Sequence, residues 1–211
     1  MGRDSIMSSE HGPSSMSQPL LALETHKSRV LIFEDRVQKT LGSSRNAALH
    51  ARREVRALGL LAGLERVPIL LALGLDRKTV IMSRVPGKPL TECEVVSERT
   101  MASLRTLIEQ VLARGVARHS LPPRDVIVAQ DGTAGLVDFE RSTRRLFPGD
   151  PAWLVAKAVT RFHLLRLVDR HAPQLLTPGE RRTLRWQAGL RAALQPPAKL
   201  MRRVLRALGY S

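Results

Sequence analysis

Two stretches of the chain gather side chains able to handle protons and cations. The first runs Leu112-Ala-Arg-Gly-Val-Ala-Arg-His-Ser-Leu121 and continues as Pro-Pro-Arg-Asp-Val-Ile-Val128; the second is Leu136-Val-Asp-Phe-Glu140. Together they hold an imidazole, His119, a hydroxyl, Ser120, and two aspartates, Asp125 and Asp138, thirteen positions apart. Carboxylates present the hard oxygens that Mg²⁺ and Ca²⁺ prefer. An unperturbed imidazole titrates at about 6.5. Lys39 and, fifteen positions later, Glu54 lie far upstream. Taken singly, none of these residues is informative. A strand lysine and a helix glutamate are usually surface charges, and Asp131-Gly132 is a turn. Order and spacing have to carry the argument.

The elements around them are legible. Arg29–Phe33 and Val37–Leu41 are two β-rich runs separated by Glu34-Asp35-Arg36, which suggests a hairpin. Ser43 or Ser44 can cap a helix from about Arg45 to Leu61, with Ala48, Ala51, Val55 and Leu58 as its apolar stripe. Pro68–Leu73 and Thr79–Met82 read as strands around an Asp76-Arg77 turn, and Val85-Pro-Gly-Lys-Pro89 breaks the chain. Leu104, Leu107, Ile108, Val111 and Leu112 mark a long amphipathic helix ending near Gly115. Two strand-like runs, Asp125–Val128 and Gly135–Asp138, flank the Asp131-Gly132 turn. From Pro151 onward the texture is helical, interrupted at Pro173, Pro178 and Pro196-Pro197. Strands first and helices later, with a β-pair embedded among helices, indicate an α+β domain.

In this order and spacing the residues resemble the protein-kinase-like superfamily, and most closely its small bacterial branch of lipopolysaccharide (Kdo/heptose) kinases. The shared pattern is a helix, a catalytic loop of HxDLxxxN type, a β-hairpin and a metal-binding Asp-Phe-Gly. Here the last element takes the form Asp138-Phe139-Glu140. With Asp138 at the metal-binding aspartate, Asp125 falls on the loop asparagine and Ser120 on the catalytic aspartate, followed by Leu121. The resemblance covers about residues 30–170. It implies a two-lobed protein-kinase-like fold with a small β-rich N-lobe and a helical C-lobe. The expected division is a disordered leader at 1–19, an N-lobe at 20–84, a hinge at 85–90, a C-lobe at 91–195 and a basic amphipathic helix at 196–211.

The resemblance also implies roles. ATP would be the nucleotide, with Mg²⁺ as the metal and Mn²⁺ as its alternative. Asp125 and Asp138 would hold the metal, Lys39 would contact phosphate, and Glu54 would be its ion-pair partner. The segment Met82–Leu90 would be the hinge, whose backbone, at Met82 and Arg84, would bind adenine. Asp150 resembles the structural aspartate that steadies the catalytic loop from below.

Two departures matter. Residues 13–41 contain no glycine, so the Gly-rich loop over the phosphates is absent or replaced, with Thr25-His-Lys-Ser28 the nearest substitute. The expected His-x-Asp tripeptide reads Arg118-His119-Ser120. A serine hydroxyl does not accept the acceptor's proton as a carboxylate does, and general-base positioning is worth about 10²- to 10⁴-fold. His119 is the conceivable replacement base. An atypical phosphotransferase acting on a sugar, glycolipid or protein hydroxyl is therefore the first reading, and an ATP-binding pseudokinase serving as a regulatory module is its competitor.

Bulk properties bound the alternatives. The 211 residues include a single cysteine, Cys93, which excludes an intrachain disulfide framework and a cysteine-based zinc site. No apolar run approaches the roughly 18 residues of a membrane-spanning helix. A cytoplasmic location is expected, with peripheral attachment to the inner membrane face as an option. The net charge of +15 favours polyanionic partners, but aromatics at 3% leave little for base stacking, so nucleic acid is not the expected partner. Residues 199–208 place Leu200, Met201, Val204, Leu205 and Leu208 opposite Lys199, Arg202, Arg203 and Arg206, the layout of a helix drawn to anionic lipid. Arg141, Arg144 and Arg145 are further cations able to meet a phosphorylated acceptor.

Overall fold

The structure, a computed structural model, describes residues 18–25, 28–42 and 46–186. Its first part is an antiparallel sheet of β1 (Leu21–Glu24), β2 (Ser28–Ile32), β3 (Arg36–Leu41), β4 (Leu70–Leu73) and β5 (Thr79–Ser83), in the spatial order β1-β2-β3-β5-β4. Both expected hairpins form. The sheet then joins them by pairing β3 with β5, which sets Lys39 opposite Val80 and Val37 opposite Met82. β1 was not expected from the sequence. All four of its residues are exposed, so it carries no burial pattern, and its ladder with β2 holds it at the sheet edge.

α1 (Ala47–Leu60) packs on this sheet between β3 and β4. The proposed caps Ser43 and Ser44 lie outside the described residues, and Asn46 at the N-cap position makes no side-chain capping bond. The buried face is Ala47, Ala51, Glu54, Ala57 and Leu58, while Ala48 and Val55 are only partly covered. The stripe is thus turned from the one read in the sequence, and a glutamate sits in its middle.

After β5 the chain crosses to a second small sheet. β6 (Lys88–Pro89) pairs with β8 (Val126–Val128), which pairs with β9 (Ala134–Leu136) across the turn containing Gly132. Gly87 has φ +135°, and a Cβ there would lie 2.4 Å from the Val128 carbonyl oxygen. Only glycine permits that approach. A second tie runs from the α1–β4 connection: Leu136 N–H donates to the Arg66 carbonyl (2.9 Å), and the Arg66 guanidinium pairs with Asp131 (3.0 Å).

α2 (Glu98–Ala113) starts at Ser97, whose hydroxyl accepts from the Thr100 N–H, and buries Met101, Leu104, Leu107, Ile108, Val111 and Leu112. Gly115, at φ +78°, turns the chain into β7 (Val116–Arg118). β7 pairs antiparallel with β10 (Ser142–Arg144), Arg118 lying opposite Ser142. These three-residue strands are too short to show a period in sequence. α3 (Pro151–His171) begins at Asp150, and residues 178–186 are again helical. The core is aliphatic around Leu104, Ile108, Val111, Val126 and Leu136, with Phe139 as its largest fully buried side chain. Among the described residues no helix is long and apolar enough to cross a membrane. The basic helix read at 196–211 lies outside the described residues.

Candidate functional site

The inward face of β3 delivers Lys39 between α1 and the segment after β9. Its ammonium lies 2.9 Å from Asp138 Oδ1, 3.1 Å from Glu54 Oε2 and 3.1 Å from Glu140 Oε2. Glu54 is fully buried, and its Oε1 also accepts the Phe139 backbone N–H at 3.3 Å. One helix carboxylate therefore holds both the sheet lysine and the backbone beside Asp138. Asp138 has φ +65°, in the left-handed region that few side chains other than Asn and Asp occupy. That turn sends its carboxylate back toward Lys39 while Phe139 enters the core.

The electrostatics follow from this packing. Burial by itself would lower the Lys39 pKa, but Glu54, Asp138 and Glu140 together outweigh it and hold the ammonium well above the ordinary lysine range. Burial pushes the Glu54 carboxyl up, against the attraction of Lys39. For Asp138 the balance reverses: burial opposes ionisation, yet Lys39 and then Arg118 bring the pKa below the ordinary aspartate value. Formally the cluster carries three carboxylates against one ammonium, an excess of two negative charges. Oxygens of Glu54, Asp138 and Glu140 lie within 4.8 Å of one another. This hard-oxygen set and charge excess fit a divalent cation of the Mg²⁺ type.

Asp125, the other expected metal ligand, is placed differently. It ends the short 3₁₀ turn Pro123–Asp125 ahead of β8, and its Oδ2 pairs with the Arg118 guanidinium. Both side chains are buried, at 9% and 4% exposure. Arg118 also donates through its other terminal nitrogen to the Val137 carbonyl at 2.7 Å, and its guanidinium lies 5.4 Å from the Phe139 ring centroid. Burial raises the Asp125 pKa to about 6, against the pull of Arg118. In the sequence Arg118 stands only as a departure from the expected tripeptide, and Glu140 carries no expected role. A buried arginine seven positions before a buried aspartate leaves no periodic signal.

The remaining residues are less convergent. His119 is exposed, and its Nε2 lies 2.7 Å from Thr143 Oγ1 on β10, so the ring is engaged with that strand. Ser120 is partly buried and makes no side-chain hydrogen bond to another described residue. Met82 is a buried core side chain on β5. The Arg84 backbone N–H donates to the Asp35 carbonyl at 2.9 Å, so that donor is already used within the chain. Asp150 caps α3, accepting from Ala152 and Trp153 N–H, and also accepts from Leu146 N–H; it makes no hydrogen bond to residues 118–121. Thr160 supports that loop instead. Its Oγ1 accepts the Arg118 N–H at 2.8 Å and lies 2.7 Å from the Arg118 carbonyl oxygen. At the β1–β2 turn, Ser28 N–H donates to Thr25 Oγ1 at 3.1 Å, while His26 and Lys27 lie outside the described residues.

No family model matches the sequence, and no curated protein matches it. Solved structures do match. The bifunctional kinase-methyltransferase WbdD aligns at TM-score 0.52 with 18% identity, over 76% of this chain and 47% of that one. A second WbdD crystal structure aligns at 0.51 with 17% identity, over 80% and 50% respectively. WbdD in complex with the kinase inhibitor LY294002 aligns at 0.50 with 20% identity, over 82% and 40%. The mixed α+β fold, with a β-sheet first and helices after it, is consistent with a kinase-like fold. At these identities the similarity concerns the fold alone, and the chain spans half or less of the length of those proteins.

Proposed function

We propose that this chain is a two-lobed, ATP-binding phosphotransferase of kinase-like type, acting on a hydroxyl acceptor through an altered catalytic loop. The observation that carries the reading is the Lys39 ammonium, delivered from the sheet onto Asp138 and anchored by the fully buried Glu54. Residues 20–84 would form the N-lobe, 85–90 the hinge and 91–195 the C-lobe. The match to WbdD structures supports the same reading at the level of the fold.

In this reading Asp138, with Glu140 beside it, would hold Mg²⁺, and the ion would offset negative charge on the phosphates. Lys39 would stay with Glu54 and direct its other N–H bonds to phosphate oxygens in place of Asp138 and Glu140. Catalysis would then rest on positioning and electrostatics, which carry most of phosphoryl transfer. Ser120 would contribute no carboxylate, so the acceptor hydroxyl would lose its proton to water, to phosphate or to His119.

A second reading, an ATP-binding pseudokinase that acts as a regulatory module, is favoured by two observations. Ser120 stands where a proton acceptor is expected, and Asp125 is already occupied by Arg118. Thermal unfolding with ATP and Mg²⁺ tests both readings at once. A ligand that binds only the folded state raises apparent stability by about 2.7 kcal/mol at one hundred times its Kd. The expected result is a raised midpoint for the unaltered chain and a much smaller rise for Asp138→Ala. No rise at any nucleotide concentration would reject nucleotide binding. A rise without phosphate transfer to any acceptor or to the chain itself would favour the pseudokinase.

A further inference from the structure

The buried pair Arg118–Asp125 has a consequence for how many cations the site takes. The inference rests on the nucleotide reading above. Asp125 presents two oxygens: Oδ2 is bound by Arg118, and Oδ1 lies 3.7 Å from the exposed Arg124. The Arg118 guanidinium bridges two places at once, the Asp125 carboxylate and the Val137 carbonyl that immediately precedes Asp138. It is fixed there by the Phe139 ring and, through its own backbone, by Thr160. A fixed positive charge therefore lies between the 125 and 138 segments.

A divalent ion shared by Asp125 and Asp138 would have to sit beside that guanidinium, in a buried setting where like charges repel strongly. It would also have to strip Asp125 from its partner and leave a buried arginine uncompensated, a costly change. The other carboxylates are also held by a cation, Lys39, but three of them share that ammonium, whereas the buried Arg118 pairs with Asp125. A divalent ion that took Asp138 and Glu140 would leave Lys39 paired with Glu54, so no buried charge would lose its partner.

We infer that Arg118 takes the electrostatic place of a second divalent ion, with Asp125 as its counter-ion and not a metal ligand. The site consequently takes one divalent ion, on the Asp138–Glu140 side. Arg118 is a positioning residue in this account: it neutralises Asp125, holds the carbonyl before Asp138 and lowers the charge that a metal must supply.

Mn²⁺ titration followed by electron paramagnetic resonance tests this on the full 211-residue chain with a non-hydrolysable ATP analogue. The expected stoichiometry is one Mn²⁺ per chain. Asp125→Ala should keep Mn²⁺ affinity within about twofold while lowering the thermal midpoint, whereas loss of a true ligand or its support costs about tenfold or more. Two Mn²⁺ ions per unaltered chain would overturn the inference and leave nucleotide binding standing. So would a tenfold loss in a folded Asp125→Ala chain. If that variant does not fold, the stoichiometry of the unaltered chain decides alone. No Mn²⁺ bound with the analogue would reject the nucleotide reading itself, and this inference with it.

Discussion

Thr160 Oγ1, one hydroxyl on α3, meets both backbone polar groups of Arg118: the amide at 2.8 Å and the carbonyl at 2.7 Å. Thr160 is fully buried, so water does not substitute for it. Through this contact the long helix after the site sets the height of the loop that carries Arg118, His119 and Ser120. Asp150, the residue the sequence nominated for that task, is occupied at the start of the same helix.

Thr160→Val keeps the shape and removes the hydroxyl. It leaves the buried Arg118 amide without its side-chain partner, at a cost of about 1–3 kcal/mol. Urea denaturation should show the lower midpoint with an unchanged slope. A variant as stable as the unaltered chain would mean that the loop is held by other contacts.

Lys39→Met removes the ammonium that meets Glu54, Asp138 and Glu140. Breaking a buried ion pair by deleting one partner costs about 3–5 kcal/mol, and here the carboxylates left behind also repel one another. The loss should shrink at low pH, where protonation relieves that repulsion. Chemical denaturation at pH 5 and pH 8 reads both effects, and equal losses at the two pH values would argue against the cluster.

Asp125 ties stability to acidity. Its folded pKa is about 6, above the ordinary 3.8, so the folded chain holds a proton that the unfolded chain has released between those values. Its contribution is therefore fully present below about pH 4 and is lost as pH rises through about 6. The shift corresponds to about 3 kcal/mol. Comparing the unaltered chain with Asp125→Asn isolates this component, because the amide does not titrate. The variant should gain relative stability on going from pH 4 to pH 7. A difference between the two chains that stays flat across that range would contradict the burial argument.

Ser120→Asp restores a carboxylate at the position that the loop spacing assigns to the proton acceptor. If that group limits turnover, phosphate transfer should rise by about 10²-fold or more. Nucleotide affinity should change far less than turnover. Unchanged transfer, with ATP still bound, would point to the regulatory reading.

Much of the sheet was legible because its strands obey local rules. The β2–β3 hairpin, the Asp76 turn and the hairpin around Gly132 each follow from short runs of β-formers bounded by turn residues. α2 was legible from its stripe, since Leu104, Leu107, Ile108, Val111 and Leu112 all lie inside. β1, β7 and β10 were not. An exposed edge strand and two three-residue strands are selected by a neighbouring backbone, and no side-chain period records that choice.

The same division runs through the candidate site. The sequence by itself determined the order and spacing of Lys39, Glu54, Asp125 and Asp138, and the replacement of an expected carboxylate by Ser120. Only the tertiary structure decided which charges meet. It turned Glu54 into the core to hold Lys39, added Glu140 to that cluster, and gave Asp125 to Arg118 instead. The reason is physical: burial makes each charge require a partner, and the nearest opposite charge is a matter of distance in space. Separations of 15, 99 and 7 positions along the chain collapse to hydrogen-bonding range only after α1, β3, β7 and the loop after β9 have packed together.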